Sequence, residues 1–283
     1  MTIEINKLTY IYMRGTPYEK LALDNITLKI NKGEFVALIG HTGSGKSTLV
    51  QHFNGLLKPV SGSVIINGID ISGKNLKELR RQVGLVFQYP EHQLFEETVY
   101  KDVAFGLIKA GVEEPKIKEK VIEAIRLVGL KEDILQKSPF ELSGGQKRRV
   151  AIAGVIATEP EILVLDEPAA GLDPEGKDEI LGLIERFHKE KGLTVILVSH
   201  NMEDVAKLVG RIIVMNKGKI EMDGLPSEVF RNTEKLEEIG LSAPQITYLM
   251  KRLKKVYPYI NDNIFTVEDA KKELLKYLKG QSK

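Results

Sequence analysis

The stretch that most restricts what this chain can fold into is "FVALIGHTGSGKS", residues 35–47. Its first half is apolar without alternation, the pattern of a parallel strand buried on both faces. Its second half spells G-x-x-x-x-G-K-[ST] from Gly40 to Ser47, and "KSTLVQHFNGLL" continues with Leu49, Val50, Phe53 and Leu57 on one helical face. Strand, glycine turn and helix in that order form a cradle for phosphate. Glycines let backbone N–H groups approach an anion closely, and the helix N-terminus adds a positive field. The contact set is therefore Gly40, His41, Thr42, Gly43, Ser44, Gly45, Lys46, Ser47 and Thr48. Lys46 is placed to reach the β- and γ-phosphates of a nucleotide such as ATP, and Ser47 to ligate Mg²⁺.

Two further apolar runs, "ILVLDE" (162–167) and "TVILVSH" (194–200), also end abruptly in polar residues. In open α/β sheets, ligands gather beyond the carboxyl ends of the strands. Asp166 is expected to hold Mg²⁺ through water, and Glu167 to polarise an attacking water. His200 could hydrogen-bond the γ-phosphate and that water. Adjacent carboxylates or a lone histidine are ordinarily surface groups; the strand ends favour the functional reading.

Residues 1 to about 35 read as antiparallel strands, "TIEINKLTYIY" and "LALDNITLKI", and a second strand pair is expected from "GSVIING" (62–68) and "QVGLVFQ" (82–88). Residues 91–158 change to apolar spacings of three and four, an α-helical insert. Beyond "GLPSEV" the chain turns helical again, with Ser242 expected as an N-cap before Pro244 and "TVED" as a second cap. With 41 basic and 39 acidic residues the net charge is only +2, which argues against bulk nucleic-acid or membrane-surface binding. "LMKRLKKVYPYI" reads as a solvated helix face. Cysteine is absent, which excludes disulfides and cysteine-based zinc sites. The opening "MTIEINKLTYIYM" holds no signal-like apolar run, and nowhere do about 18 apolar residues run together. Work at a membrane must then go through a partner.

"LSGGQKRRVAIAG" (142–154) raises a question of redundancy. Ser143, Gly144 and Gly145 open the helix "QKRRVAIAGVIA" and make a second anion-binding N-terminus. One phosphate loop surrounds one side of a nucleotide and leaves the far face of the γ-phosphate open. The economical solution is two chains, head to tail, each offering its glycine turn to the other's ATP.

The phosphate loop, LSGGQ and "LVLDEPAAGLDP" together resemble the nucleotide-binding subunit of an ABC transporter, over residues 1 to about 230. The resemblance implies an α/β fold: a P-loop NTPase (RecA-like) core, an antiparallel β subdomain, a helical signature subdomain inserted at about 91–158, and a small α-helical unit at 231–283. It implies that Gln88 of "VFQYP" senses Mg²⁺ and touches a membrane partner, and that Asp173 of "AGLDP" acts across a dimer. Gln146 completes the signature set. Tyr12 lies where the family places an aromatic that stacks on adenine, with Tyr10 and Tyr18 as rivals and core packing as the alternative. "PAAGLD" departs from the commoner "PTSGLD" only in small residues.

"GHTGSGKST", "FQYPEHQLFEETVYKDVAFG" and the signature helix are similar, more narrowly, to ATPases of energy-coupling-factor (ECF) importers, which serve vitamins and transition metals. That resemblance implies ATP hydrolysis coupled to transport, with ATP and Mg²⁺ as ligands. The partners would be a second ABC ATPase, in a homo- or heterodimer, and integral membrane subunits contacting Gln88–Phe105. Its place would be peripheral, on the cytoplasmic face of the membrane. Leu94, Phe95, Val99, Val103 and Phe105 form the apolar stripe of that segment, with core packing as its plain alternative and room for both among different residues. A conventional ABC importer or exporter remains open at this stage, as does a soluble ABC ATPase acting on DNA or ribosomes. A nucleotide kinase would not need LSGGQ.

Overall fold

The computed structural model describes residues 2–280, without the side chains of the last two of these. The chain runs β1 (Ile3–Tyr12), β2 (Lys20–Ile30), β3 (Phe35–Ile39), α1 (Lys46–Phe53), β4 (Ser61–Ile66), β5 (Ile69–Asp70), α2 (Lys77–Gln82) and β6 (Val83–Val86). The insert comes next as α3 (Val99–Ala110), α4 (Glu114–Leu127) and α5 (Gly144–Ile156). After it stand β7 (Ile162–Asp166), α6 (Pro174–Lys191), β8 (Thr194–Val198), α7 (Met202–Leu208), β9 (Arg211–Asn216) and β10 (Lys219–Gly224). Helices α8 (Pro226–Arg231), α9 (Thr233–Glu238), α10 (Gln245–Val256) and α11 (Val267–Gly280) complete it. Two compact units result. One holds the described residues up to Glu34 with Ser47–Val198, the other Phe35–Lys46 with the described residues from Ser199.

In the first unit, β1 pairs antiparallel with both β2 and β4, in the order β2-β1-β4-β5. Ile3, Ile5 and Leu8 of β1 are buried, and the register shifts between Ile5 and Leu8. Separately, β6, β7 and β8 form a parallel ladder, Val83 opposite Ile162 and Ile162 opposite Thr194. The expected pairing of residues 62–68 with 82–88 is therefore wrong: β4 joins the antiparallel sheet and β6 the parallel ladder. The burial patterns explain it. β4 buries Val64 and Ile66 alternately, whereas Val83, Gly84 and Val86 are buried nearly in succession. In the insert, Thr98 caps α3 by accepting from the Lys101 N–H, and Gly111 ends it at φ +81. Val103, Val121 and Val150, one from each insert helix, are fully buried.

In the second unit, β3 pairs parallel with β9, and β10 turns back antiparallel on β9. Arg211 and Asp223 clasp across that hairpin through two 2.7 Å hydrogen bonds. Met250, Ile260, Ile264 and Ala270 form a small core under α10 and α11, joined by Ile246, Leu253, Leu274 and Tyr277. Thr266 caps α11 as expected, accepting from Asp269 N–H at 3.2 Å. Ser242 does not cap α10; the helix starts at Gln245 behind Pro244. The residue before a proline is disfavoured in helical geometry, which delays the start.

Candidate nucleotide site

The phosphate loop in the second unit is built around backbone. A Cβ on Gly40 would collide with the Met215 carbonyl and lie 2.6 Å from Ser44 Oγ. Gly43 (φ +82) and Gly45 (φ +105) take the positive-φ turns that the loop needs. Lys46 Nζ folds back onto the carbonyls of Gly40 (2.7 Å) and His41 (3.1 Å). The β9–β10 turn braces the loop: Gly218 N–H donates to Ser44 O at 2.9 Å, and Asn216 Oδ1 lies 3.1 Å from His41 Nε2. Thr42 and Gly43 are exposed, while the buried Ser44 hydroxyl has no hydrogen-bond partner among the described residues. A cradle of amides with an orphaned buried hydroxyl fits phosphate oxygens. His200, two residues beyond the end of β8, is exposed in this unit.

The strand-end carboxylates lie in the first unit. Ser47 Oγ donates to Asp166 Oδ2 at 3.0 Å, which sets two hard oxygen ligands side by side. Such a pair fits Mg²⁺, an ion that binds through one or two protein groups plus substrate phosphates rather than in an all-protein cage. Among the described residues, no group of three or more His, Cys, Asp or Glu forms such a cage. Glu167 sits at φ +49, a conformation rarely taken by non-glycine residues. Its N–H donates to Val198 O at 3.0 Å, and its carbonyl accepts from Ala170 N–H at 3.1 Å. Strain of this kind concentrates where a side chain must be aimed. Gln88 Nε2 donates to Glu167 Oε2 at 3.0 Å, so two residues 79 apart in sequence meet.

Among the tyrosine rivals, Tyr12 OH lies 3.2 Å from Thr48 Oγ1 on α1. Tyr10 turns edge-on to His52, with ring centroids 5.0 Å apart, and Tyr18 is 79% exposed.

The second glycine turn is fully formed. Ser143 caps α5, accepting from Gln146 N–H at 3.3 Å, and Gln146 Oε1 accepts from Ser143 N–H at 3.0 Å. Gly144 and Gly145 have negative φ, and a Cβ on either would meet no atom within 4 Å. Among the described residues neither backbone nor packing asks for glycine here. Asp173 caps α6, accepting from Gly176 N–H at 2.9 Å, and is exposed.

A glycine loop running into α1, with a strand-end carboxylate beside the loop's serine, defines a P-loop nucleoside triphosphatase. The ABC transporter family model matches residues 23–170. The energy-coupling factor transporter ATP-binding protein EcfA2 of Acetivibrio thermocellus is 68% identical, over 99% of both chains. EcfA2 of Clostridium tetani is 60% identical, over 100% of this chain and 99% of that one. Among solved structures, cbiO1 from Clostridium perfringens, part of the ABC transporter complex cbiONQ, superposes with a TM-score of 0.74 at 41% identity. That match covers 88% of this chain and 98% of the other. A dimeric ATP-binding cassette in a post-hydrolysis state, bound to ADP and Pi, gives 0.71 at 31% identity over 79% and 98% of the two chains. The chain belongs to the ABC transporter family.

Two residues that bear on the site are not among those the sequence singles out. Arg148 is buried on α5, and its spacing from Ile152 and Ile156 was the available signal: a charge standing on the apolar stripe. His52 is fully buried on α1, its Nδ1 2.7 Å from the Thr48 carbonyl and its Nε2 without a partner among the described residues. Burial pushes His52 below its ordinary value of 6.5, against the opposing pull of the Thr48 carbonyl. The unfolded chain then binds more protons than the folded one between the lowered value and 6.5. Stability is expected to be full above about pH 6.5 and to fall as pH drops below it, by up to about 1.4 kcal/mol per pH unit. Thermal melts from about pH 8 to pH 5 check this against His52→Gln, in which that part of the slope should vanish.

Proposed function

We propose that this chain is the ATP-hydrolysing motor of an ECF-type importer for vitamins or transition-metal ions, working as a head-to-tail pair with a second ABC ATPase. The observation that carries the pairing is the Ser143–Gly145 turn, whose glycines have no demand on them inside the chain. A phosphate brought by a partner supplies that demand, because only glycine lets the turn's amides come close to it. The near full-length likeness to EcfA2 proteins supports the ECF assignment.

In this reading the nucleotide's phosphates lie against Gly40–Thr48, with Tyr12 on the adenine. Ser47, Gln88 and Asp166 would hold Mg²⁺, which would supply positive charge against the phosphate oxygens. Glu167 takes a proton from water as the water oxygen bonds the γ-phosphorus and the bond to ADP breaks. Lys46, His200 and the partner's glycine-turn amides stabilise the charge, and Asp173 reaches across the pair. Loss of the γ-phosphate releases those contacts and the pair opens.

Residues 1–230 form the ATPase domain, with the helical insert at about 91–158, and 231–283 an accessory unit. Among the described residues no helix is long and apolar enough to cross a membrane, which fits a peripheral subunit on the cytoplasmic face. Membrane subunits dock on Gln88–Phe105. Val99 and Val103 are core there, while Phe95 is 63% exposed with its ring edge-on to Phe105 at 5.0 Å. No nucleic-acid partner is expected. Phe95→Glu should keep the wild-type melting temperature and weaken assembly with the membrane subunits by about 2 kcal/mol, the size of an interface hot spot. Co-purification titrated with detergent-solubilised scaffold reads it.

The deciding experiment is purification from native membranes in mild detergent, with every subunit identified by mass spectrometry. A transmembrane scaffold, a second ATPase and small integral binding proteins are expected. Two conventional permeases would discard the ECF assignment, and purely soluble partners would sink transport.

A further inference from the structure

Arg148 is the bulkiest of the fully buried side chains, 2% exposed, on the helix that the Ser143 turn opens. Its guanidinium makes four hydrogen bonds. Nε donates to Glu91 Oε2 at 2.9 Å and Nη2 to Glu91 Oε1 at 2.6 Å. Nη1 donates to the carbonyls of Pro168 at 3.2 Å and Ala170 at 2.8 Å. Burial raises the Glu91 carboxyl, but the Arg148 hydrogen bonds and charge, with a backbone hydrogen bond, outweigh it and hold the group below its ordinary range. The pair therefore stays ionised and bidentate.

The acceptors belong to two different loops. Glu91 lies in a 3₁₀ turn, Pro90–Gln93, that begins directly after Gln88 and Tyr89, the latter at φ +54. Pro168 and Ala170 come just after Glu167, whose carbonyl accepts from Ala170 N–H. At their other ends the loops meet in the 3.0 Å hydrogen bond from Gln88 to Glu167. A closed ring of contacts therefore runs from Gln88 through Glu91, Arg148 and Pro168–Ala170 to Glu167.

We propose that Arg148 is a positioning residue for hydrolysis: through Glu91 on one side and the Pro168 and Ala170 carbonyls on the other, it fixes the spacing of Gln88 and Glu167. The inference rests on the hydrolytic roles given above to those two residues. A planar guanidinium locked by four hydrogen bonds does not slide. When the glycine turn at the head of α5 engages a phosphate, any rotation of that helix carries both loops with it or breaks the clasp. Packed elements switch between discrete arrangements rather than deform, so the clasp couples the turn's occupancy to the aim of Glu167.

The test is steady-state ATP hydrolysis by the purified full chain carrying Glu91→Gln, Gln88→Ala or both. Expected for Glu91→Gln is a fall in kcat on the order of 10- to 100-fold, the scale of a small misplacement at a reacting centre, with KM for ATP within about twofold. The double variant should be no slower than the slower single variant, because both substitutions act through one contact. Glu91→Asp keeps the charge while shortening the reach, so it tests the spacing if Glu91→Gln folds poorly; it should fall in kcat while melting near wild type. Turnover is counted per chain able to bind a fluorescent ATP analogue. A lowered melting temperature with unchanged kcat per binding-competent chain would reduce Arg148 to a structural pair and overturn the inference. Additive effects of Glu91→Gln and Gln88→Ala would overturn it too, leaving the role of Gln88 intact. Full activity in Gln88→Ala would remove Gln88 from hydrolysis, and the inference with it.

Discussion

Glu167→Gln is expected to bind ATP with wild-type affinity, to turn over slower by on the order of 10²–10⁴-fold, and to accumulate as a closed dimer. The strained backbone at φ +49 is fixed by main-chain hydrogen bonds to Val198 and Ala170, which the substitution does not touch. The new amide oxygen can still accept from Gln88 Nε2, so the 3.0 Å contact survives. The substitution removes the carboxylate able to take a proton from water, while the phosphate loop that binds the nucleotide is unaltered. Single-turnover phosphate release gives the rate, and size-exclusion chromatography with MgATP gives the dimer. Wild-type turnover in this variant would remove Glu167 from the reaction. Loss of ATP binding would instead make it a structural residue.

The parts legible in the sequence are those whose chemistry is local. The phosphate loop needs glycine at fixed offsets, a doubly buried strand needs an unbroken apolar run, and Thr266 caps the helix that begins directly after it. Each can be read from a few adjacent residues, and each stands in the structure as expected. The parts that were not legible depend on packing between distant segments. Val83–Val86 joins β7, 79 residues downstream, because both its faces are covered. Arg148 stands beside Arg149 in "QKRRV"; its spacing from Ile152 and Ile156 sets it on the apolar stripe, but nothing in the sequence names its partner. Arg148 is buried on Glu91, whereas Arg149 is partly exposed with Glu179 3.4 Å away. The bracing of His41 by Asn216 spans 175 residues, and nothing in either neighbourhood announces it. The Leu94–Phe105 stripe was legible as apolar and as open to division between core and surface, but not which residue goes where: Val99 and Val103 face the core, while Phe95 and Phe105 remain on the surface. Periodicity gives the face of a helix, and neighbours decide how it is covered.

Ser143→Arg is expected to leave ATP binding by the isolated chain unchanged and to lower turnover by on the order of 10²–10³-fold, as loss of a donor to developing phosphate charge does. The long side chain fills the open space in front of Gly144 and Gly145, through which their amides must approach a phosphate. It also removes the cap from α5, worth about 1 kcal/mol, so Ser143→Ala serves as the control for capping alone. Turnover cannot say by itself whose nucleotide the turn serves, but a mixture can. Ser143→Arg and Glu167→Gln are each expected to be inactive. If the turn of one chain completes the site of another, a mixed pair holds one intact site and one doubly damaged site. Where the chain pairs with copies of itself, random mixing should then restore up to about a quarter of wild-type turnover, since half the pairs are mixed and half their sites intact. If the turn serves its own chain, every site in the mixture carries one lesion and no activity returns. Recovery therefore answers why a chain with a complete phosphate loop carries a second glycine turn, and its absence would dismantle the head-to-tail arrangement.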